Sequence, residues 1–322
     1  VRALKSVAIA LALPVAMFVI MEALAFFTQG EHIIKSSLDI KNLIRSSGIS
    51  VAIAFAWSMN LTSGRMDLSL GAQRVAATIC GGFAATALGL GGIWILVFAI
   101  LFGVLFGGLV GIGMACILEC VGFALSGGAG FKMVTAVGSA ALSDVNFTIA
   151  VVAVMLVAML LLMTYTTFGY RFRAVRGSQF IAANAGVNVF ANVAVCYAVA
   201  GLLVGVSGVL DAAFAGSMAA TMGLTSNGSV MANMFPMMIG CNFLSRYINQ
   251  AVGVVSASVA IRIFAMGLLV FNISDAVSSC INMALFIAFL IWQANSYRIA
   301  QYKHDRERIA QAQAMKKARA AA

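Results

Sequence analysis

The chain has 322 residues, of which 62% are hydrophobic and only 9% are charged, and its formal net charge is +10. A soluble domain has roughly 45–50% apolar and about 25% charged residues. No globular core could hide this much apolar surface behind so few charges. The composition therefore excludes a soluble globular protein and predicts an integral membrane protein.

Helices are the predicted membrane-crossing elements. The apolar runs lack strand-like alternation, and lipid offers no partners to unpaired backbone groups. A crossing helix needs about 20 apolar residues, which predicts an all-α integral membrane protein with about ten transmembrane helices. The fifth and eighth runs are short and interrupted by Gly or Met, so full spans and re-entrant half-helices both stay open. The predicted spans are 7–27, 47–62, 69–89, 92–117, 131–146, 148–165, 189–210, 229–244, 250–271 and 275–294.

The distribution of basic residues predicts the orientation. With the N-terminus in the cytoplasm, 16 of the 20 Lys and Arg fall in cytoplasmic segments, three fall outside, and Arg262 lies within a span. Cytoplasmic loops of membrane proteins carry such an excess, so both termini are predicted to be cytoplasmic. The outer residues are Lys35, Lys41 and Arg45, and the cytoplasmic set includes Arg65, Arg74 and Lys132.

The predicted organisation is one membrane domain followed by a basic tail. Each half of the domain contains one poorly formed apolar segment, which is typical of transporters built from two repeats. The Ala-rich tail is predicted to be helical and could lie along anionic lipid headgroups. No soluble domain presents a basic face, so nucleic acid is not an expected partner. The predicted boundaries are 1–296 for the membrane domain, with halves of about 1–165 and 189–296 joined by loop 166–188, and 297–322 for the tail.

Glycines spaced four residues apart occur in two of the apolar runs. The first run contains Gly103, Gly107 and Gly111, and the second contains Gly201 and Gly205. Small residues at this spacing let helix backbones approach closely in lipid. Packing within one bundle is the favoured interpretation, with a seam between two copies as the alternative.

The chain carries few groups suited to chemistry. The two histidines, His32 and His304, are far apart in the sequence, so no metal site is expected. No G-x-x-x-x-G-K-[ST] phosphate loop is present, so the chain itself is not expected to bind ATP or to be an enzyme. Among the acids only Glu22 falls well inside a predicted span. This scarcity argues against an ion-coupled secondary carrier, which stays the alternative from another class.

The stretch "MNLTSGRMDLSLGAQ" places Arg65 and Asp67 between two apolar runs. Short oxygen-bearing side chains can satisfy free backbone N–H groups at a helix start, so Asp67 and Ser69 are predicted to cap the third span. Direct contact with a solute is the less favoured alternative. Aromatic and hydrogen-bonding groups that could line a solute path are Trp57, Asn60, Asp67, Ser69 and Asn242.

The stretch from Thr167 to Val189 contains three arginines and then a run of small residues. Residues 179–185 suit a short helix that Gly186 would close. The alanines of this helix give it a slim profile that could seat in a cleft of a partner protein. An ordinary basic connecting loop is the alternative.

Two motifs resemble the permeases of ABC importers, in the ribose, xylose and galactoside branch. That family's coupling-loop pattern is T-x-F-G-R-x-x-Y-A-x-G-G-N-x-x-A-A-x-x-x-G-I-N-V, and its earlier motif T-G-G-I-D-L-S-V-G is similar to the segment from Ser63 to Gly71. Arg65 replaces a glycine, and Ser178-Gln179 stands where Gly-Asn is usual. The coupling-loop matches are Thr167, Phe168, Gly169, Ala174, Gly177, Ala182, Ala183, Gly186, Asn188 and Val189.

The resemblance implies the fold of a type II ABC importer permease in a bacterial inner membrane. It also implies a second permease chain (the same or divergent), cytoplasmic ATPases that bind ATP and Mg²⁺, and an extracytoplasmic binding protein. The expected solute is a sugar or similar polar molecule, with a nucleoside as the alternative. The residues expected to couple to the ATPase are Phe168, Gly169, Arg171, Ala182, Ala183, Asn184, Ala185 and Gly186.

Overall fold

Helices account for about 80% of the chain in the computed structural model, which describes residues 2–61, 64–109, 111–133 and 138–321. The prediction of a helical, membrane-type fold is confirmed at this level. Within the described residues, five helices are long and apolar enough to cross a membrane. These are Ser6–Gln29, Val145–Thr164, Val189–Ala215, Gln250–Val270 and Ala276–Ser296.

The helices differ in length because glycines, prolines and capping residues interrupt the apolar pattern at uneven intervals. The α-helices are α1 (Arg2–Gln29), α2 (Ser37–Leu61), α3 (Leu70–Ala87), α4 (Ile93–Gly107), α5 (Ile112–Ser126), α6 (Val145–Thr164), α7 (Thr167–Gly177), α8 (Gln179–Asn184), α9 (Val189–Ala215), α10 (Asn227–Met231), α11 (Met234–Met238), α12 (Gln250–Val270) and α13 (Asp275–Ala321). The short remaining elements are strands β1 (Phe131–Lys132) and β2 (Ser217–Met218), 3₁₀ turns Ser139–Ser143 and Leu244–Arg246, and a π turn Ile239–Phe243.

The chain divides into two compact units, Val1–Ile273 and Ser274–Ala322. The second unit consists mainly of α13, a continuous helix of 47 residues. The Ala-rich tail is therefore helical, as predicted, and the predicted boundary at residue 296 falls within an unbroken helix. The division of the membrane domain into two halves stays a prediction.

Long-range contacts define two ends of the first unit. At one, the α7–α8 end, Asn249 just before α12 donates to Thr164 at the close of α6 (3.3 Å). At the other, the β end, antiparallel strands β1 and β2 pair, and β2 directly follows α9. The backbone carbonyl of Ser143 accepts from Arg45 near the start of α2, which places that part of α2 near the start of α6.

Helices α4 and α9 pack backbone against backbone. A Cβ atom added at Gly201 would lie 2.0 Å from the Gly103 carbonyl oxygen, and one at Gly107 would lie 2.4 Å from the Tyr197 carbonyl oxygen. Neither helix could come this close with a side chain at these positions, because such distances are far below van der Waals contact. The prediction of packing within one bundle is confirmed for Gly103, Gly107, Gly201 and Gly205, whereas a Cβ at Gly111 would meet nothing within 4 Å.

The predicted single span 92–117 is wrong. Helix α4 ends at Gly107 and α5 begins at Ile112, and Gly111 between them has φ +117°. Only glycine adopts that backbone conformation readily, so the chain turns here although its apolar character continues. Hydropathy alone could not detect the turn because both arms are apolar.

The two poorly formed segments are irregular. Segment 131–146 contains β1 and a 3₁₀ turn in its described part, while residues 134–137 lie outside the described residues. Segment 229–244 is a series of short helical pieces, α10, α11 and the π turn, with Pro236 inside α11. Neither segment is a regular membrane-spanning helix, since glycine-rich turns precede the first and proline interrupts the second.

Two basic residues lie away from the cytoplasmic loops predicted for them. Lys132 belongs to β1 and so lies at the β end, opposite α7 and α8. Arg74 is 4% exposed in the interior of the first unit. The remaining excess of basic residues still favours the predicted orientation.

We predict that Gly201→Val destabilises the protein far more than Gly113→Val. Valine at 201 would force its Cβ onto the Gly103 carbonyl, whereas a Cβ at Gly113 has nothing within 4 Å. Overpacking of this kind typically costs about 1–3 kcal/mol. Thermal unfolding midpoints of the two purified variants in detergent measure the difference, and equal midpoints would contradict the packing described here.

Candidate functional site

Helix α8 is a short helix closed at both ends by local hydrogen bonds. Its N-cap Ser178 accepts from the Ile181 amide (3.3 Å). At the other end Gly186 has φ +79°, and the Gly186 and Val187 amides donate to the carbonyls of Ala183 and Ala182. This is the Schellman arrangement that glycine permits. The predicted helix closed by Gly186 is confirmed.

The predicted coupling residues divide into an exposed set and a buried set. Gly169 is buried, and a Cβ there would lie 2.3 Å from the Met163 carbonyl oxygen, so its role in the structure is close packing. Ala182 is 2% exposed and faces inward, and Phe168 is half-buried. These three do not present themselves to a partner. The exposed members are Arg171, Ala183, Asn184, Ala185 and Gly186.

Large apolar side chains surround the exposed alanines. Phe180 is 76% exposed and Ile181 is 68% exposed, although both belong to a helix whose ends are firmly capped. Tyr170 on α7 is 63% exposed, with the Arg173 guanidinium 4.7 Å from its ring centre. Contiguous apolar groups on a protein surface commonly mark interaction sites. We call this surface the α8 patch, comprising Tyr170, Arg171, Arg173, Phe180, Ile181, Ala183, Asn184, Ala185 and Gly186.

The structure brings the two sequence motifs together. Arg65, in the loop after α2, donates from Nη2 to Oε1 of Gln179, the first residue of α8 (3.3 Å). From α7, Arg176 donates to Gln250 at the start of α12 (3.3 Å). The segment of α7 and α8 is thus tied on one side to the loop after α2 and on the other to α12.

A buried hydrogen-bond network surrounds Asp67. Asp67 is 1% exposed and accepts from the backbone amide and hydroxyl of Ser69 and from Gln73 (3.3 Å). Gln73 also donates to the Ser69 hydroxyl (2.7 Å). Burial raises the pKa of the Asp67 carboxyl, although the bonds from Ser69 and Gln73 act in the opposite direction.

The predicted cap of the third span is only partly right. Ser69 occupies the N-cap position of α3, but its side chain accepts no bond from the helix backbone. Its hydroxyl donates to Asp67 and accepts from the Gln73 side chain (2.7 Å) instead of from a helix amide. Asp67 therefore organises the turn before α3 from inside the protein, without direct access to solvent.

The other predicted path residues lie apart from this network. Trp57 is 1% exposed and donates from its ring nitrogen to the Val230 carbonyl (2.9 Å), so it anchors α10 against α2. Asn60 is also buried, and its carbonyl accepts from the Arg65 amide (3.2 Å). Asn242, in the π turn, is half-buried and donates to the Met238 sulfur (3.4 Å). The structure does not bring these residues together as one site.

The structure reveals an interior polar cluster that the sequence interpretation missed. Arg74 forms an ion pair with Asp211 and donates to the Ser229 hydroxyl (3.1 Å). Asn233 accepts from Arg262 (3.4 Å) and from Ser50 (2.5 Å). We define the interior polar cluster as Ser50, Arg74, Asp211, Ser229, Asn233 and Arg262.

Glycines allow the helices that carry the cluster to pack closely against one another. A Cβ at Gly208 would lie 2.0 Å from the Thr78 hydroxyl, so α9 and α3 approach closely one turn before Asp211. A Cβ at Gly71 would lie 2.7 Å from the Ser226 backbone, which brings α3 against the start of α10. The one signal that could have indicated the cluster was the presence of ionisable residues in apolar surroundings.

A buried carboxylate positions the chain ahead of α10. Glu119 on α5 is 2% exposed and accepts from the Leu224 amide (2.8 Å) and from the amide and hydroxyl of Ser226. The sequence placed Glu119 at a hydrated span end, but tertiary packing encloses it. Its bonds hold the turn from which Ser229 and Asn233 reach the interior polar cluster.

No protein-family model matches the chain, and no curated protein matches it. Among the described residues, no group of three or more His, Cys, Asp or Glu is placed to hold a metal ion.

We predict that Asp211→Ala destabilises the protein by up to about 3 kcal/mol, because it leaves the Arg74 charge buried and unpaired. This is the lower end of the range for buried pairs, since the Asp211 side chain is 35% exposed. The double variant Arg74→Met/Asp211→Ala should lose less stability than the sum of its single variants. Thermal unfolding in detergent measures the coupling, and strictly additive losses would contradict it.

We predict that Arg65→Gly loosens α8. Loss of one hydrogen bond of about 1 kcal/mol should speed amide exchange over residues 179–187 by about fivefold. Hydrogen–deuterium exchange read by mass spectrometry measures this rate. Met66→Gly is the matched control, because Met66 is an exposed neighbour in the same loop. Equal exchange in both variants would show that Arg65 does not hold α8.

Proposed function

We propose that this chain is the permease subunit of an ATP-driven ABC importer for a small polar solute. The observation that carries the proposal is the α8 patch, a capped helix with exposed Phe180 and Ile181 and the two exposed arginines Arg171 and Arg173. Such a surface suits a protein partner that inserts side chains around the slim alanine face. Because two sequence motifs resemble those of ABC permeases, the partner would be a cytoplasmic ATPase that binds ATP and Mg²⁺.

The arrangement of helices supports about ten crossings with both termini in the cytoplasm. Helices α1 to α6, α9, the irregular segment 219–249 and α12 would each cross, and α13 would add one more. Helices α4 and α5 replace the single predicted span 92–117, while segment 131–144 would return along the β end without crossing. The proposed number of crossings is therefore still about ten, but the segments that cross differ from those predicted from the sequence.

The connections of α8 suggest how force on it would reach the membrane helices. A push on α8 would act on the loop after α2 through Arg65 and, by way of α7, on α12 through Arg176. Two conformations that differ by a few kcal/mol can be shifted by a partner that binds them unequally. Alternating access would follow if closure of the ATPases favours the inward-open conformation.

The complete importer would contain further components. A second permease chain, identical or divergent, would complete the pathway, and an extracytoplasmic binding protein would deliver the solute at the β end. The membrane would be a bacterial inner membrane, as the sequence resemblance implies. The solute would be a sugar or a similar polar molecule, with a nucleoside as the alternative.

A second candidate is an ion-coupled secondary carrier. The observation in its favour is the interior pair Arg74–Asp211, because ionisable groups within membrane domains commonly serve ion pathways. Reconstitution distinguishes the candidates. A carrier would transport with an ion gradient and without any ATPase, whereas the importer subunit would be inactive alone.

We predict that Ala183→Arg abolishes co-purification of a soluble ATPase with the tagged chain from its native membrane. The arginine would place bulk and charge in the middle of the α8 patch. The control Ala141→Arg makes the same change at an exposed alanine at the β end, and should leave co-purification intact. If the ATPase co-purifies with both Ala183→Arg and Ala141→Arg, the α8 patch is not the docking surface.

If no ATPase accompanies even the unmodified chain, the ABC importer assignment itself is wrong. The liposome experiment on the carrier alternative then becomes the deciding measurement.

A further inference from the structure

The interior polar cluster reaches the protein surface beside α10. The Asp211 side chain is 35% exposed, Ser229 is exposed, and Arg262 is half-buried. The neighbours Gly228 and Ala232 are exposed as well. Lipid tails cannot hydrogen-bond to a carboxylate or a hydroxyl, so such a surface within a membrane domain faces water or protein.

Arg262 lies close to the middle of its helix. It is about 18 Å along α12 from the first residue, Gln250, at a rise of 1.5 Å per residue. A bilayer core is about 30 Å thick. Arg262 therefore lies at a depth where transporters commonly bind their solutes, whereas Asp211 lies near the end of α9.

The cluster carries one more positive than negative charge. Arg74 pairs with Asp211. Within the described residues, the other guanidinium, that of Arg262, has only the long bond to Asn233 (3.4 Å). No acid of the described chain lies within ion-pair distance of Arg262. An uncompensated cation at this depth is costly, which indicates that an anion balances it.

The remaining polar groups of the cluster are suited to form hydrogen bonds with the hydroxyl groups of a ligand. Asp211 is an acceptor, and the exposed Ser229 hydroxyl both donates and accepts. Asn233 is buried, and its amide is already bonded to the Ser229 carbonyl and to Ser50 and Arg262. In the part of the chain that the structure describes, the buried Nε of Arg74 has no hydrogen-bond partner. Several acceptors and donors beside an unpaired guanidinium match a ligand that has hydroxyls at one end and a single anionic group at the other.

We propose that the interior polar cluster binds a sugar acid, a solute with several hydroxyls and one carboxylate. The carboxylate would lie against Arg262, whose planar fork accommodates two carboxylate oxygens. The hydroxyls would bond to Asp211 and Ser229, the exposed hydrogen-bonding groups beside Arg262. The proposal rests on the permease function above and narrows its solute. A neutral sugar would satisfy the hydrogen bonds but would leave the excess positive charge in place.

The experiment measures binding of matched pairs of solutes to the full-length protein in lipid nanodiscs, purified with whatever subunits accompany it. The pairs are galacturonate with galactose and glucuronate with glucose, which differ by a carboxylate in place of a hydroxymethyl group. Equilibrium dialysis with radiolabelled solutes yields each Kd. We expect at least one acid to bind about tenfold or more tightly than its neutral partner, as a charge-assisted bond to Arg262 requires.

Three variants assign the preference to Arg262. Arg262→Gln should remove the preference for the acid, whereas Arg262→Lys should retain much of it because the charge remains. Arg246→Gln, which removes an exposed arginine elsewhere, should leave the preference unchanged. If Arg262→Gln does not fold, Arg262→Lys decides: the loss of the planar fork should weaken the preference, and an unchanged preference would overturn the proposal.

Two results would overturn the proposal. One is neutral sugars binding as tightly as their acids, and the other is an acid preference that survives in Arg262→Gln. The ATPase content of the same preparations tests the permease function separately. A preparation that contains an ATPase but prefers neutral sugars would overturn the sugar-acid inference alone.

Discussion

The backbone contact between α4 and α9 is the constraint on which the first unit depends. Gly103 and Gly201 leave no room for a side chain between the two helices. In lipid there is little hydrophobic force between helices, so close van der Waals contact must hold them together. Further along α9, Gly208 lets the helix pack equally closely against α3. This close packing of α9 on α3 allows Asp211 to form its ion pair with Arg74.

The interior polar cluster is held in place by this apolar framework. Its side chains come from five separate segments, and close glycine contacts or a buried carboxylate position α3, α9 and α10. Gly71 brings α3 against α10, and Glu119 holds the turn ahead of α10. A rearrangement of α9 against α3 would therefore change the pairing of Arg74 directly. Such coupling between packing and charge is what a change of conformation in a transporter requires.

The α8 patch depends on different forces. Local capping by Ser178 and the left-handed Gly186 determine where the helix begins and ends. These signals are contained in a few adjacent residues, so the sequence predicted α8 closely. Local pattern did not reveal that Ala182 faces inward while Phe180 and Ile181 face outward. The orientation of so short a helix depends on what lies beneath it.

Composition and short-range pattern by themselves determined that this is a helical membrane protein, that α8 forms, and that glycines at four-residue spacing pack within the bundle. The tertiary structure decided where the apolar run at 92–117 breaks and which polar residues meet. Arg74 and Asp211 are separated by 137 residues, and Arg65 and Gln179 by 114. No local periodicity encodes pairs so distant, because their contact follows from how the helices between them pack.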